Sequence, residues 1–90
     1  MRGLHTEMAV FAKRRVLAYV RVFGPVSSAD VMGGLDYETQ AGAAATLLRL
    51  HRHGHLRRER FGLAYLYTIS EKGTSWLSLF AESDEGTATR

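Results

Sequence analysis

Arginines are concentrated in one short part of this chain. The segment 49–60 contains five arginines and a single acidic residue, Glu59, so it carries a net charge of +4. The other residues together carry −1, which leaves the whole chain at +3. A positive excess confined to one segment is the electrostatic footprint of a phosphate-binding surface, and a solvated charged face is the alternative interpretation. The five arginines are Arg49, Arg52, Arg57, Arg58 and Arg60.

Three alternating histidines, His51, His53 and His55, lie within the same segment. Alternate residues share a face only on a strand, but the first two fall in the last turn of a predicted helix, where each residue advances by about 100°. Gly54 is expected to reverse the chain before the third. The chain has no cysteine to complete a zinc site. We therefore expect no metal and no cofactor. For the histidines we favour a role as cations at the negative C-terminal end of the helix, or weak contacts with nucleic acid.

Motifs for catalysis are missing from the sequence. No nucleophile has a neighbouring base and an orienting acid, and there is neither a phosphate-binding glycine loop nor an HExxH sequence. We therefore predict that the protein is not an enzyme. There is also no apolar run of about 18 residues and no signal-peptide pattern, so we expect a soluble, cytoplasmic protein without a membrane partner.

The elements that must position these residues begin with a long helix. Apolar residues recur mostly at three- and four-residue steps from about His5 to Phe23, and Gly24-Pro25 should end the helix. A second apolar set covers another side of this helix, which indicates a partner subunit in so small a domain. That second set is Val10, Leu17 and Val22.

Two shorter helices are predicted next. Ser27 and Asp30 have the spacing of a capping box, so a helix should start there and break at Gly33-Gly34. The third helix is predicted over 37–53, with Asp36 or Thr39 as its cap and Gly54 as the left-handed residue after its end.

A β-hairpin and a last helix complete the predicted order. Two strands are predicted over 56–61 and 65–70, with Gly62 in the turn, because the second strand alternates with a period of two. We predict a last helix from Trp76 to about Ala81 and a disordered tail over the polar residues 82–90. One domain is therefore predicted over 1–81, and its fold class is mainly α with a small β-hairpin.

Two sequence motifs within this order of elements resemble those of a known family. L-x-x-L-x-x-x-G-x-L runs from Leu47 to Leu56, and Y-x-I-S-E-K-G runs from Tyr67 to Gly73. With them, the chain from about Val16 to Leu79 resembles the winged helix-turn-helix of MarR- and PadR-type transcriptional regulators, a pattern that small archaeal and viral regulators share.

The resemblance implies a homodimer, most simply a repressor, that binds double-stranded DNA. Its third helix would enter the major groove, and its wing, 56–69, would contact the backbone or the minor groove. The implied base contacts are Tyr37, Thr39, Gln40 and Ala44. The implied phosphate contacts are Arg49, Arg52, Arg57, Arg58 and Arg60. The implied dimer contacts are Val10, Leu17, Trp76 and Phe80.

The predicted exposed face of the third helix departs from the family pattern because alanine dominates it. Gln40 could pair with an adenine, and Ala44 could touch a thymine methyl group, but few other side chains there can read a base edge. Phosphate binding is therefore predicted more firmly than base readout. A protein-interaction module and an architectural or RNA-binding protein without strong sequence preference remain the alternative functions.

Aromatic residues in the second strand and the last helix have two interpretations each. Tyr65 and Tyr67 could stack on nucleobases, but packing within the hairpin and core is favoured. Trp76 and Phe80 could hold a small ligand, but core or dimer packing is favoured.

Overall fold

Four helices and one two-stranded hairpin follow each other along the described part of the chain. The structure is a computed structural model that describes the backbone of residues 2–88 and the side chains of residues 10–80. The elements are α1 Arg2–Phe23, α2 Ser28–Leu35, α3 Gln40–Arg52, β1 Leu56–Phe61, β2 Ala64–Ile69 and α4 Glu71–Ala88. The α+β arrangement of a winged helix-turn-helix is confirmed.

The second helix starts as predicted but does not break at its two glycines. Ser27 and Asp30 form a complete capping box, with hydrogen bonds of 2.9 and 3.2 Å between each side chain and the other's backbone N–H. The predicted break at Gly33-Gly34 is wrong, because α2 continues to Leu35. Asp36 is its C-cap and has a φ of 59°. Aspartate tolerates this left-handed conformation better than most residues, and its N–H donates to the carbonyl of Met32.

The third helix is shorter than predicted at its N-terminal end. Thr39 is the N-cap, and its hydroxyl oxygen accepts a hydrogen bond of 3.0 Å from the N–H of Gly42. Residues 37–39 therefore precede the helix. At the other end Gly54 is left-handed, as predicted, with a φ of 84°. The N–H of Gly54 donates to the carbonyl of His51, and the N–H of His55 donates to the carbonyl of Leu50. These two bonds form a Schellman motif, which turns the chain from α3 into β1.

The hairpin is antiparallel, and Phe61 pairs with Ala64 across a two-residue turn. Gly62, at the first turn position, has a φ of 63°, which is the pattern of a type II′ turn. The sequence did not predict that the hairpin is fixed to the body by a bridge between Val26 and Tyr67. Two backbone hydrogen bonds of 2.8 and 3.0 Å join these residues.

The last helix starts before Trp76, the predicted first residue. Ser70 caps it, since its hydroxyl oxygen accepts from the N–H of Gly73 at 3.1 Å and donates to the carbonyl of Gly54 at 2.6 Å. The backbone of α4 stays helical to Ala88, beyond the predicted end near Ala81. The side chains of 81–90 lie outside the described residues, so the domain boundary at 81 stays a prediction.

One hydrophobic core is shared by α1, α2, α3, the hairpin and α4. Its side chains are at most 4% exposed, and the partly buried Tyr37 and Trp76 pack against it. The buried apolar residues are Val16, Leu17, Val20, Val26, Val31, Ala43, Leu47, Leu50, Leu56, Tyr67 and Leu77. No helix in the described part of the chain is long and apolar enough to cross a membrane.

Candidate nucleic-acid interface

The strand register divides the arginines of the wing between two faces. Arg58 is opposite Tyr67 and Arg60 is opposite Tyr65, so these side chains share the face that also carries the buried Leu56. Arg57 belongs to the other face, with Thr68 opposite it. The hairpin therefore presents guanidinium groups on both sides.

Tyr65 supports the two arginines of the inner face. The Cζ atom of Arg58 lies 4.0 Å from the centre of the Tyr65 ring, and that of Arg60 lies 5.8 Å from it. The Nε atom of Arg60 also donates to the carbonyl of Gly62 at 3.1 Å. Tyr67 packs in the core as predicted, at 4% exposed, whereas Tyr65 remains 39% exposed. Tyr65 thus holds the arginines near the turn instead of filling the core.

The predicted base-contact residues have different environments. Tyr37 lies in the turn before α3, half-buried against the core, and its hydroxyl donates to Thr46 at 3.4 Å. Thr39 is occupied as the cap of α3. Gln40 is exposed at the first helical residue, where its Nε2 donates to the hydroxyl of Ser28 at 3.1 Å. Ala44 is half-buried one turn further along.

A groove of about 270 Å³ separates α3 from the wing. Gln40 and Ala44 form its helix side, and Leu63 to Tyr65 form its wing side. The third wall is the beginning of α2, at 27–29. The groove therefore joins three parts of the chain that are separate in sequence, and the contribution of α2 was not predicted.

Arg49 and Arg52 are exposed at the far end of α3. They are three residues apart, so they lie on neighbouring positions of the helix surface. Nine residues separate Arg49 from Gln40, which corresponds to about 14 Å along the helix axis. The same nine positions turn the helix by about 180°, so Gln40 and Arg49 lie on opposite sides of its axis.

The predicted dimer contacts need correction at Leu17. This side chain is 0% exposed within the single chain, so it belongs to the core and has no surface for a partner. Val10 is half-buried. The rings of Trp76 and Phe80 lie 4.6 Å apart on α4, and Lys13 of α1 places its Nζ 4.3 Å from the Trp76 ring. Trp76 and Phe80 therefore join α1 to α4 within the chain.

The uncovered apolar side of α1 keeps Val22 of the predicted set but has Phe11 and Ala18 in place of Val10 and Leu17. Phe11 and Val22 are 62% and 66% exposed, and Ala18 is half-buried between them. At about 100° per residue, these three lie within roughly 40° of each other around the helix. Phe11 is therefore on the surface, as is Leu79 of α4 at 63% exposed.

The three histidines do not converge. Nδ1 of His51 lies 3.0 Å from the carbonyl of Leu56, and His53 is exposed at the C-cap of α3. His55 is 6% exposed, and its Nδ1 has no hydrogen-bond partner among the described residues. Burial lowers the pKa of His55, and the positive charges of Lys13 and Lys72 lower it further. Within the described part of the chain, no cluster of side chains could hold a metal ion.

Comparison with solved structures gives a match to one described as the crystal structure of MarR. The TM-score is 0.71 at 18% sequence identity, and the alignment covers 82% of this chain. It covers 52% of that chain, so this protein spans about half the length of the structure it matches. No protein-family model and no curated protein matches the sequence. At this identity the similarity shows the winged-helix fold alone.

Proposed function

We propose that the protein is a transcriptional regulator that binds double-stranded DNA as a homodimer and acts as a repressor in the cytoplasm. The observation that carries this proposal is the groove between α3 and the wing. Gln40 borders it on one side, and the turn next to Arg58 and Arg60 borders it on the other. A winged helix offers these two surfaces to two neighbouring grooves of a duplex.

In this proposal α3 enters the major groove with its N-terminal end foremost. Gln40 exchanges its hydrogen bond to Ser28 for a bidentate pair with adenine, and Ala44 lies against a thymine methyl group. Because the flanking side chains are small, α3 can approach the bases closely. Sequence preference then depends on few direct contacts, and the shape of the DNA contributes the rest.

The sugar–phosphate strand between the major and the minor groove passes through the groove between α3 and the wing. The beginning of α2 lines this groove, and the backbone N–H groups of Ser28 and Ala29 have no partner within the helix, whereas those of Ser27 and Asp30 are used by the capping box. Arg58 and Arg60 approach the same strand from the wing, while Arg49 and Arg52 reach the opposite edge of the major groove. Release of counterions from these phosphates supplies most of the affinity.

A salt series with random duplex DNA, single-stranded DNA and structured RNA tests the proposal. We expect duplex binding that weakens steeply with salt, and Arg58→Ala combined with Arg60→Ala should lower the slope of log K against log salt by roughly 0.9 per lost phosphate contact. Arg21→Ala is the matched control, since it removes an exposed arginine from α1 and should leave the slope unchanged. If no duplex binds at any salt concentration, the proposal is wrong.

A further inference from the structure

The tip of the wing is apolar and almost completely uncovered. Leu63 is 98% exposed and Phe61 is 67% exposed, and they flank Gly62 in the turn. Hairpin turns usually carry polar residues, because side chains at a protruding tip meet only water. Two large apolar side chains at this position therefore call for a partner that covers them.

The surroundings of the tip are strongly positive. Arg57, Arg58 and Arg60 precede it in β1, and the hydrogen bond from Arg60 to the carbonyl of Gly62 fixes a guanidinium group beside the turn. The contact of Arg58 with Tyr65 places a second charge near it on the inner face. An apolar tip with arginines next to it fits a partner whose apolar interior is surrounded by negative charge.

The tip favours a narrow, concave partner by its shape and size. It projects from the body, so it fits a concave surface rather than a second flat one. A stable protein interface needs about 20 to 30 residues on each side, far more than this turn provides. The minor groove of a duplex is concave, lined by phosphates, and gives access to the apolar faces of stacked base pairs.

The position of Leu63 favours the same partner. Leu63 borders the groove between α3 and the wing, opposite Gln40. A duplex that receives Gln40 in its major groove therefore brings its adjacent minor groove towards the tip. Strands of six residues give the wing a length of about 20 Å, which suffices to span the intervening backbone.

We propose that Leu63, supported by Phe61, is a wedge that enters the minor groove, partly unstacks one base step and bends the duplex. This inference rests on the proposed DNA-binding function and goes further, because it assigns part of the sequence preference to deformability. Pyrimidine–purine steps such as TA unstack most easily, so a site with such a step under the tip is favoured without any base-edge contact. An alanine-rich α3 is then compatible with selective binding.

The test uses duplexes with a central TA step, 2-aminopurine at that step and a fluorophore pair at the two ends. We expect the wild-type protein to increase the 2-aminopurine fluorescence and to shorten the distance between the ends. Leu63→Ser should abolish both signals, whereas Leu63→Met, which keeps an apolar wedge, should retain them. Thr68→Ala, an exposed change in the wing away from the turn, serves as the control and should behave as the wild type.

Each other outcome decides against the wedge in a recognisable way. Salt-dependent duplex binding without bending or unstacking overturns the wedge and leaves the proposed function intact. Bending that survives Leu63→Ser also overturns it, because another residue then causes the bend. Binding to anionic lipid vesicles that depends on Leu63, without duplex distortion, assigns the tip to a membrane surface. Absence of all duplex binding removes the proposed function and the wedge together.

Discussion

At the scale of residues, Tyr65 holds an arginine of the wing against its ring. A free arginine loses side-chain entropy when it becomes fixed against a phosphate. The contact of Arg58 with the Tyr65 ring, at 4.0 Å, fixes part of that side chain before any partner arrives. A contact of this kind at an exposed site contributes about 0.5 to 1 kcal/mol. If the wing binds phosphates as proposed, Tyr65 lowers the ordering cost of that binding.

His55 makes stability depend on pH. Its ring is 6.2 Å from that of Trp76, and the groups facing it are Lys13 of α1, Lys72 of α4 and His53 at the end of α3. All three are basic groups and oppose a further positive charge. Burial of the ring lowers the pKa of His55 in the folded protein below its ordinary value of 6.5, and these charges lower it further.

The sign of the pH effect follows from this lowered pKa. Below pH 6.5 the unfolded chain takes up a proton at His55 while the folded chain does not, so unfolding is favoured. We expect full stability above pH 6.5 and a progressive loss as the pH falls from 6.5 towards the folded pKa. Thermal unfolding of the wild type and of His55→Asn between pH 8 and pH 5 measures this loss of stability.

His53→Gln is the control for this prediction, because His53 is exposed and only one of the charges near His55. It should retain most of the pH dependence, whereas His55→Asn should lose the part caused by His55. An equal loss in both variants would assign the effect to the cluster as a whole instead of to the buried ring.

At the scale of elements, the adjacent glycines of α2 have opposite roles. A Cβ atom at Gly33 would meet no atom within 4 Å, whereas one at Gly34 would collide with the ring of Tyr19. Tyr19 uses this close approach to donate a hydrogen bond of 3.3 Å to the carbonyl of Asp30. The lack of a side chain at Gly34 thus allows α1 to pack closely against α2, whereas no contact requires a glycine at position 33.

Replacing each glycine by alanine should therefore change stability in opposite directions. Gly33→Ala should raise the free energy of unfolding by about 0.5 to 1 kcal/mol, since alanine is the better helix former. Gly34→Ala should lower it, because Tyr19 must move and lose its hydrogen bond. Urea unfolding of both variants is the measurement. Destabilisation by Gly33→Ala would show that the helical backbone at this position is wrong.

These glycines also show what a sequence can and cannot predict. The capping box at Ser27, the left-handed Gly54 and the turn at Gly62 were predictable because each is a local preference of the backbone. Where α2 continues through Gly34 it packs against Tyr19, a contact distant in sequence that local propensity does not include, and local propensity gave the wrong result. On the exposed side of α1, Val22 was predicted correctly but Leu17 was not, because an element apolar on several sides gives no clear periodicity.

The groove between α3 and the wing was only partly predictable for the same reason. Its members, such as Gln40 and the arginine-rich hairpin, were recognisable from residue type and spacing. Their arrangement depends on the Val26–Tyr67 bridge, which fixes the hairpin against the segment before α2. A bridge between single residues far apart in the chain leaves no local pattern in either segment.

For the whole molecule, the uncovered stripe of α1 is the surface on which the proposed dimer depends. Phe11 and Val22 face the same direction three turns apart, and neither contributes to the core. Burying such side chains between two copies removes apolar area from water at roughly 25 cal/mol per Å². A small domain with a modest core gains more from this burial than a large one would.

A negative charge on this stripe should separate the subunits without unfolding them. Phe11→Glu combined with Val22→Glu should shift the protein from dimer to monomer in sedimentation at micromolar concentration. Both residues are more than half exposed, so the far-ultraviolet circular dichroism should stay unchanged. Leu63→Glu is the control, since it puts the same charge on an exposed apolar residue of the wing and should leave the dimer intact.

The same variants connect the assembly to DNA binding. Two copies of α3 reach successive major grooves only when they are about 34 to 36 Å apart, as half-sites one helical turn apart require. The monomeric variant should keep the salt-dependent affinity of a single winged helix but lose the gain from linking two binding events, roughly 10²- to 10⁴-fold. If Phe11→Glu with Val22→Glu stays dimeric while Leu63→Glu becomes monomeric, the subunits meet through their wings, and neither α1 nor the wing tip has the role assigned to it.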